Sequence, residues 1–187
     1  MCYDETMSSL ALDSPAARRY SEAVDRYAAV IRGRNDRPRG LLLRDVEAAL
    51  AALYHAASEL PEIPPDSSDV PEARAEQDQY RAIQGSLAAL LGRYDSYREI
   101  FDPSDPDDRE PVQALLSLDL VEVLEDVESG RSLLEPDRRV TPNDVLWQWR
   151  FDFTSHWGRH AVTALKVINS LLHTQFVDAL DDSRPDA

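Results

Sequence analysis

The chain has 187 residues, of which 35 are acidic and 20 basic, giving a formal charge of −15. That length fits one domain able to bury most of its apolar surface. The charge argues against sequence-independent DNA or RNA binding and against an anionic membrane surface, since both draw on Lys and Arg. A single cysteine, Cys2, excludes an internal disulfide and a cysteine-based zinc site.

No run of about 18 apolar residues is present, so no membrane span is expected. The first eleven residues carry acids where a signal peptide needs positive charge, and a cytoplasmic location is expected. Residues 1–13 and 181–187 lack a sustained pattern and are read as a flexible start and a disordered acidic tail around a helical domain at 14–180.

Helical periodicity recurs along the chain, and no convincing alternating run of β-branched residues breaks it. Ser14-Pro15 marks a helix start, because proline at the first turn has no N–H to lose. Tyr20, Val24, Tyr27 and Ile31 share one face, and Gly33 ends the helix. A charged turn at 34–40 precedes a second helix over 41–60, which Pro61, Pro64 and Pro65 stop. A polar loop leads to a third helix over 71–91, with Gly92 as its C-cap.

Residues 95–101 read as a short helical turn, followed by an acidic loop at 104–109. Pro111 opens a fifth helix over 111–129, with Val112, Leu116, Leu120, Val123 and Val127 inward. Thr141-Pro142 starts the last and longest helix, 142–180. The fold class is therefore all-α, a bundle of five or six helices with the C-terminal helix central. No internal repeat and no sustained heptad is present.

The last helix holds the densest chemistry. Its segment WQWRFDFTSHWGRH, residues 147–160, carries all three tryptophans and two of the four histidines. At about 100° per residue, Leu146, Trp149, Phe153, His160, Ala164 and Leu171 share an inward face, flanked by Trp157. Trp147, Phe151 and Leu165 form a second apolar edge, so the helix reads as packed from two sides.

His156 and His160 stand four apart, a spacing able to offer two imidazoles to one ion. No HExxH or paired-carboxylate motif accompanies them, so no metal is assigned, and both read as hydrogen-bonded at the core edge. Arg150 and Asp119 lie beside the inward faces of their helices and read as a partly buried ion pair that locks register. There is no GxSxG, GxGxxG or GxxxxGK[ST] segment, and the acidic run at 102–110 lacks the glycine and final glutamate of an EF-hand loop. No catalytic residue and no cofactor is assigned. Lys166 is the only lysine.

Four segments in order, LYHAASELPE at 53–62, YREIFDP at 97–103, EPVQALLSLDLVEVLEDV at 110–127 and W-x5-F-x3-WG-x5-AL at 147–165, resemble the bacterial domain-of-unknown-function family numbered 5063. The resemblance covers roughly residues 18–172. It implies an all-helical fold and brings no activity with it. Asp119, Trp147, Phe153, Trp157 and Gly158 match the family pattern. His156 and His160 fall where other members carry Tyr and Arg, and the proline-rich stretch at 64–71 and the acidic tail depart from the pattern.

The leading expectation is a cytoplasmic, non-catalytic protein-interaction module, monomeric or homodimeric, whose negative surface steers a basic protein partner. One alternative is a small-ligand-binding protein or enzyme, with Asp119, Arg150, His156, Trp157 and His160 lining a pocket between the helices 111–129 and 142–180. The other is an acidic inhibitor or immunity-type protein that mimics nucleic acid.

Overall fold

Ser14 begins the first helix as its sequence suggests. In the computed structural model, which describes residues 12–68, 77–100, 107, 110–135, 138 and 140–173, the Ser14 hydroxyl accepts from the Ala17 N–H at 3.2 Å, with Pro15 at the first turn. Helix α1 runs Pro15–Arg32 and α2 runs Arg39–Ser58. Buried Ala49, Ala56 and Ala57 on α2 leave room for close neighbours. Helix α3, Gln77–Leu91, ends at Gly92, whose φ of +56° is the left-handed conformation that a Cβ would strain. The expectations for 1–11, 71–76 and 174–187 lie outside the described residues.

The chain then departs from the sequence reading. The segment expected to be a helical turn is a strand, β1, Ser96–Glu99, paired antiparallel with β2, Val112–Leu115. Helix α4 therefore begins at Leu116 and runs to Ser132, not from Pro111, and Val112, expected inward on it, is a strand residue 48% exposed. Asp95 is the cause. Its carboxylate accepts from the Ser117 N–H at 2.7 Å and from the Ser117 hydroxyl at 2.9 Å, capping α4 from the residue just before β1. Leu115, which occupies the cap position itself, offers no side-chain acceptor.

The last helix is long but not continuous. Helix α5, Pro142–Asp152, passes through a π-turn, Phe153–Trp157, into α6, Gly158–His173. A π-turn adds one residue to the helical count. In an unbroken helix, Trp157 would point about 80° away from Trp149, and the added residue brings it back to within about 20°. The buried set is accordingly Trp149, Trp157, Ala161, Ala164, Ile168 and Leu172. His160, expected inward, turns to the flank and is half-buried. Phe151, expected on a second packed edge, stays 47% exposed and stacks on Trp147.

Among the described residues the architecture is five helices, counting α5 and α6 as one broken helix, plus the two-stranded hairpin. Helix α6 packs on α2 and α4, and α1 packs on α2 and α4. Tyr27 of α1 donates to the Leu120 carbonyl at 2.8 Å, and the Tyr20 ring sits 4.8 Å from that of Trp149. At the start of α5, Thr141 and Asp144 form a reciprocal capping box. Buried Asp144 also accepts from the N–H groups of Asp66 and Ser67, each at 2.9 Å, which ties the proline-rich connection to α5. No helix among the described residues is long and apolar enough to cross a membrane.

Candidate functional site

Asp119, on the first turn of α4, is 6% exposed. One carboxylate oxygen lies 2.8 Å from His160 Nδ1, and the other accepts from the Tyr97 hydroxyl at 2.5 Å. A buried carboxylate needs such partners to offset lost hydration. Three elements, α4, α6 and β1, meet on this one side chain. The hydrogen bond to Asp119, against the opposing effect of burial, raises the His160 pKa. Burial and the same carboxylate push the Tyr97 hydroxyl well up.

His156, on the π-turn, places Nδ1 at 2.7 Å from Asp126, and its ring centroid is 4.9 Å from that of His160. The two histidines thus turn to different carboxylates. Among the described residues no group of three His, Cys, Asp or Glu side chains is arranged to hold a metal ion. Beside them, burial raises the Asp126 pKa, and burial lifts Asp152 to about 7 despite a bond from Gln148.

Two of the residues named from sequence stand apart from this cluster. Trp157 is fully buried in the core, its ring 4.9 Å from Phe153. Arg150 does not pair with Asp119. It donates to the Leu60 carbonyl at 2.8 Å and lies 3.6 Å from Glu62. The reason is where α5 crosses α4. Trp149 packs onto Gly130, eleven residues beyond Asp119, which is roughly 16 Å along a helix. Arg150, Trp147, Phe151 and Pro64 instead border a separate hollow of about 350 Å³.

The feature that the sequence reading missed is a groove between β1 and α6. All four β1 residues line a hollow of about 320 Å³, whose other wall includes Thr163, Lys166, Val167 and Leu171 of α6. It adjoins a second hollow of about 540 Å³, and the two share Glu99, Thr163 and Lys166. Glu99 joins the walls, accepting from the Thr163 hydroxyl at 2.8 Å. No β2 residue contributes, so the groove runs along the edge of β1 that faces away from β2.

Hydrogen-bond alternation identifies which backbone groups point into that edge. The Leu116 N–H donates to the Asp95 carbonyl at 2.8 Å. In the observed register, Tyr97 with Ala114 and Glu99 with Val112 are then the bonded pairs. Ser96 and Arg98 turn their N–H and C=O groups outward. The sequence offered one signal for this, the alternation in Ser96-Tyr97-Arg98-Glu99, whose exposure alternates in the fold.

The family model for a domain of unknown function, DUF5063, matches residues 13–174, which span both the Asp119 cluster and the groove. The chain belongs to the DUF5063 family. This DUF5063 chain is also similar in structure to protein BF1032 from Bacteroides fragilis, known from a crystal structure. The TM-score is 0.74 at 19% identity, over 88% of this chain and 96% of that one, a likeness of fold alone. No curated protein sequence matches. Among the residues that carried the family resemblance, Gly158 has a geometric role in this DUF5063 fold. A Cβ there would lie 2.4 Å from the Phe153 carbonyl oxygen, the acceptor of the π-turn.

Proposed function

We propose that this DUF5063 chain is a cytoplasmic, non-catalytic protein-interaction module. It takes an extended segment of a partner protein as a third strand on β1, in the groove walled by α6. The observation that carries this reading is the outer edge of β1. Its Ser96 and Arg98 backbone groups have no ladder partner among the described residues, and both residues border the hollow of about 320 Å³. Strand addition draws affinity from main-chain hydrogen bonds and selectivity from pockets for alternate side chains. Val167 and Leu171, half-buried on α6, supply an apolar wall for such side chains.

The use of the polar groups supports the same reading. Asp119, His160 and Tyr97 satisfy one another across three elements, and Arg150 holds the Leu60 carbonyl. The Asp119 contacts hold the groove from outside, since neither Asp119 nor His160 lines its two hollows, and Arg150 is engaged elsewhere.

Site-specific photo-crosslinking tests the proposal. p-Benzoylphenylalanine placed at Val167 should trap one defined, extended segment of a partner at native expression. The same probe at Leu118, exposed on α4, should trap none. Equal trapping at both positions, or none at Val167, contradicts it.

A further inference from the structure

We infer that the segment seated on β1 carries a carboxylate, held by Lys166 together with Arg93 and Arg98. This rests on the strand-addition reading of the groove and specifies its ligand.

Charge is the first argument. In a chain with 35 acids and 20 bases, three cations line one hollow of about 320 Å³ against a single carboxylate, Glu99. Glu99 is already engaged, accepting from Thr163 at 2.8 Å and lying 3.5 Å from the Tyr97 hydroxyl. Lys166, the only lysine, is exposed where the two hollows meet and makes no ion pair among the described residues. The groove is locally positive in a negative molecule. Because charges beyond about 8 Å are largely screened at physiological salt, the local sign decides what docks, not the net charge. A basic partner, which the total charge favours at a distance, would meet repulsion here.

Preorganisation is the second argument. The Arg93 guanidinium lies over the Tyr94 ring, 4.8 Å from its centroid, and donates to the Tyr94 hydroxyl at 2.7 Å. Arg98 is anchored by one nitrogen on the Pro111 carbonyl at 2.9 Å. A guanidinium offers five N–H donors in a planar fork suited to carboxylate oxygens, so each arginine keeps donors to spare. Strand addition on β1 lays a peptide along Arg98 and past Lys166, within reach of both.

The test uses the full-length, ¹⁵N-labelled chain and four pools of random octapeptides. Two pools lack Asp and Glu, one amidated at the C-terminus and one with a free carboxylate. Two further amidated pools carry either Asp/Glu or Lys/Arg at the centre. The readout is the concentration at which the Ser96 and Arg98 amide signals shift. The pools bearing carboxylates should act at a concentration lower by about fivefold or more, the scale of partly exposed ion pairs. Lys166→Glu should remove that advantage, so that the pools bearing carboxylates act no more strongly on it than the neutral pool does. A response to the free carboxylate alone assigns the group to a chain end, and a response to the Asp/Glu pool assigns it to side chains. If the neutral or Lys/Arg pool acts equally well, or Lys166→Glu changes nothing, the carboxylate inference is overturned and strand addition stands. If no pool moves the β1 amides, strand addition itself fails.

Discussion

His160 Nδ1 lies 2.8 Å from a carboxylate oxygen of Asp119, and this contact joins α6 to the first turn of α4. The second oxygen of Asp119 accepts from Tyr97, so the same side chain also holds β1 in place. The groove between β1 and α6 thus depends on a buried carboxylate that lies outside it.

The pair makes stability depend on pH. Bonding to Asp119 raises the His160 pKa, so the folded state favours the protonated imidazole. Its contribution is complete below the ordinary histidine pKa near 6.5 and is lost as pH rises through the raised folded value. His160→Gln should cost about 1–2 kcal/mol at pH 5.5 and less at pH 9, measured by urea unfolding.

Asp152 acts in the opposite direction to an ordinary surface carboxylate. Burial, with Asp126 nearby, lifts its pKa to about 7 from an ordinary value of 3.8. The folded state therefore favours the protonated acid, and stability falls as pH climbs from near 4 to near 7. Asp152→Asn keeps an acceptor for the Gln148 amide, now at 2.7 Å. It should match the parent at pH 4 and exceed it by about 1–3 kcal/mol at pH 8 in melting experiments.

Two glycines are fixed by their neighbours and one is not. Alanine at Gly158 would place its Cβ 2.4 Å from the Phe153 carbonyl, and at Gly130 would place it 2.8 Å from the buried Trp149 ring. Each substitution should cost about 2–4 kcal/mol, with Gly158→Ala the more severe because a backbone oxygen cannot step aside. At Gly85, on α3, a Cβ would meet nothing within 4 Å, and Gly85→Ala should gain about 0.5–1 kcal/mol through helix propensity. Thermal unfolding of the three variants separates these expectations.

Asp95→Ala should loosen the hairpin. It removes both bonds to Ser117 and leaves the first turn of α4 without its cap. The expected loss is about 1–3 kcal/mol, and amide exchange should rise first in β1 and β2.

The helices were legible because their ends and stripes are written locally. Ser14-Pro15 and Thr141-Pro142 are starts in the fold, and Tyr20, Val24, Tyr27 and Ile31 are all buried. The hairpin was not, because four-residue strands of mixed polarity barely differ from loop, and Pro111 imitated a helix start. The cap that sets the true start comes from Asp95, 22 positions before Ser117. The π-turn was hidden for another reason. Periodicity assumes a constant angle per residue, and one added residue rotates everything after it. That rotation moved His160 to the flank and Trp157 inward. Asp119 stood out as a polar residue among inward ones, but its partner depended on where the helices cross, which put Arg150 out of reach.

The most direct measurement of the central claim is amide hydrogen exchange at β1, with and without a mixture of the two octapeptide pools that bear carboxylates. In the free chain, Tyr97 and Glu99 should be protected by β2, while Ser96 and Arg98 exchange freely. Adding the mixture should slow Ser96 and Arg98 and leave Tyr97 and Glu99 unchanged. Protection of Ser96 and Arg98 already present in the free chain would contradict the account. So would a mixture that perturbs the face bearing Trp147 and Phe151 and leaves β1 untouched.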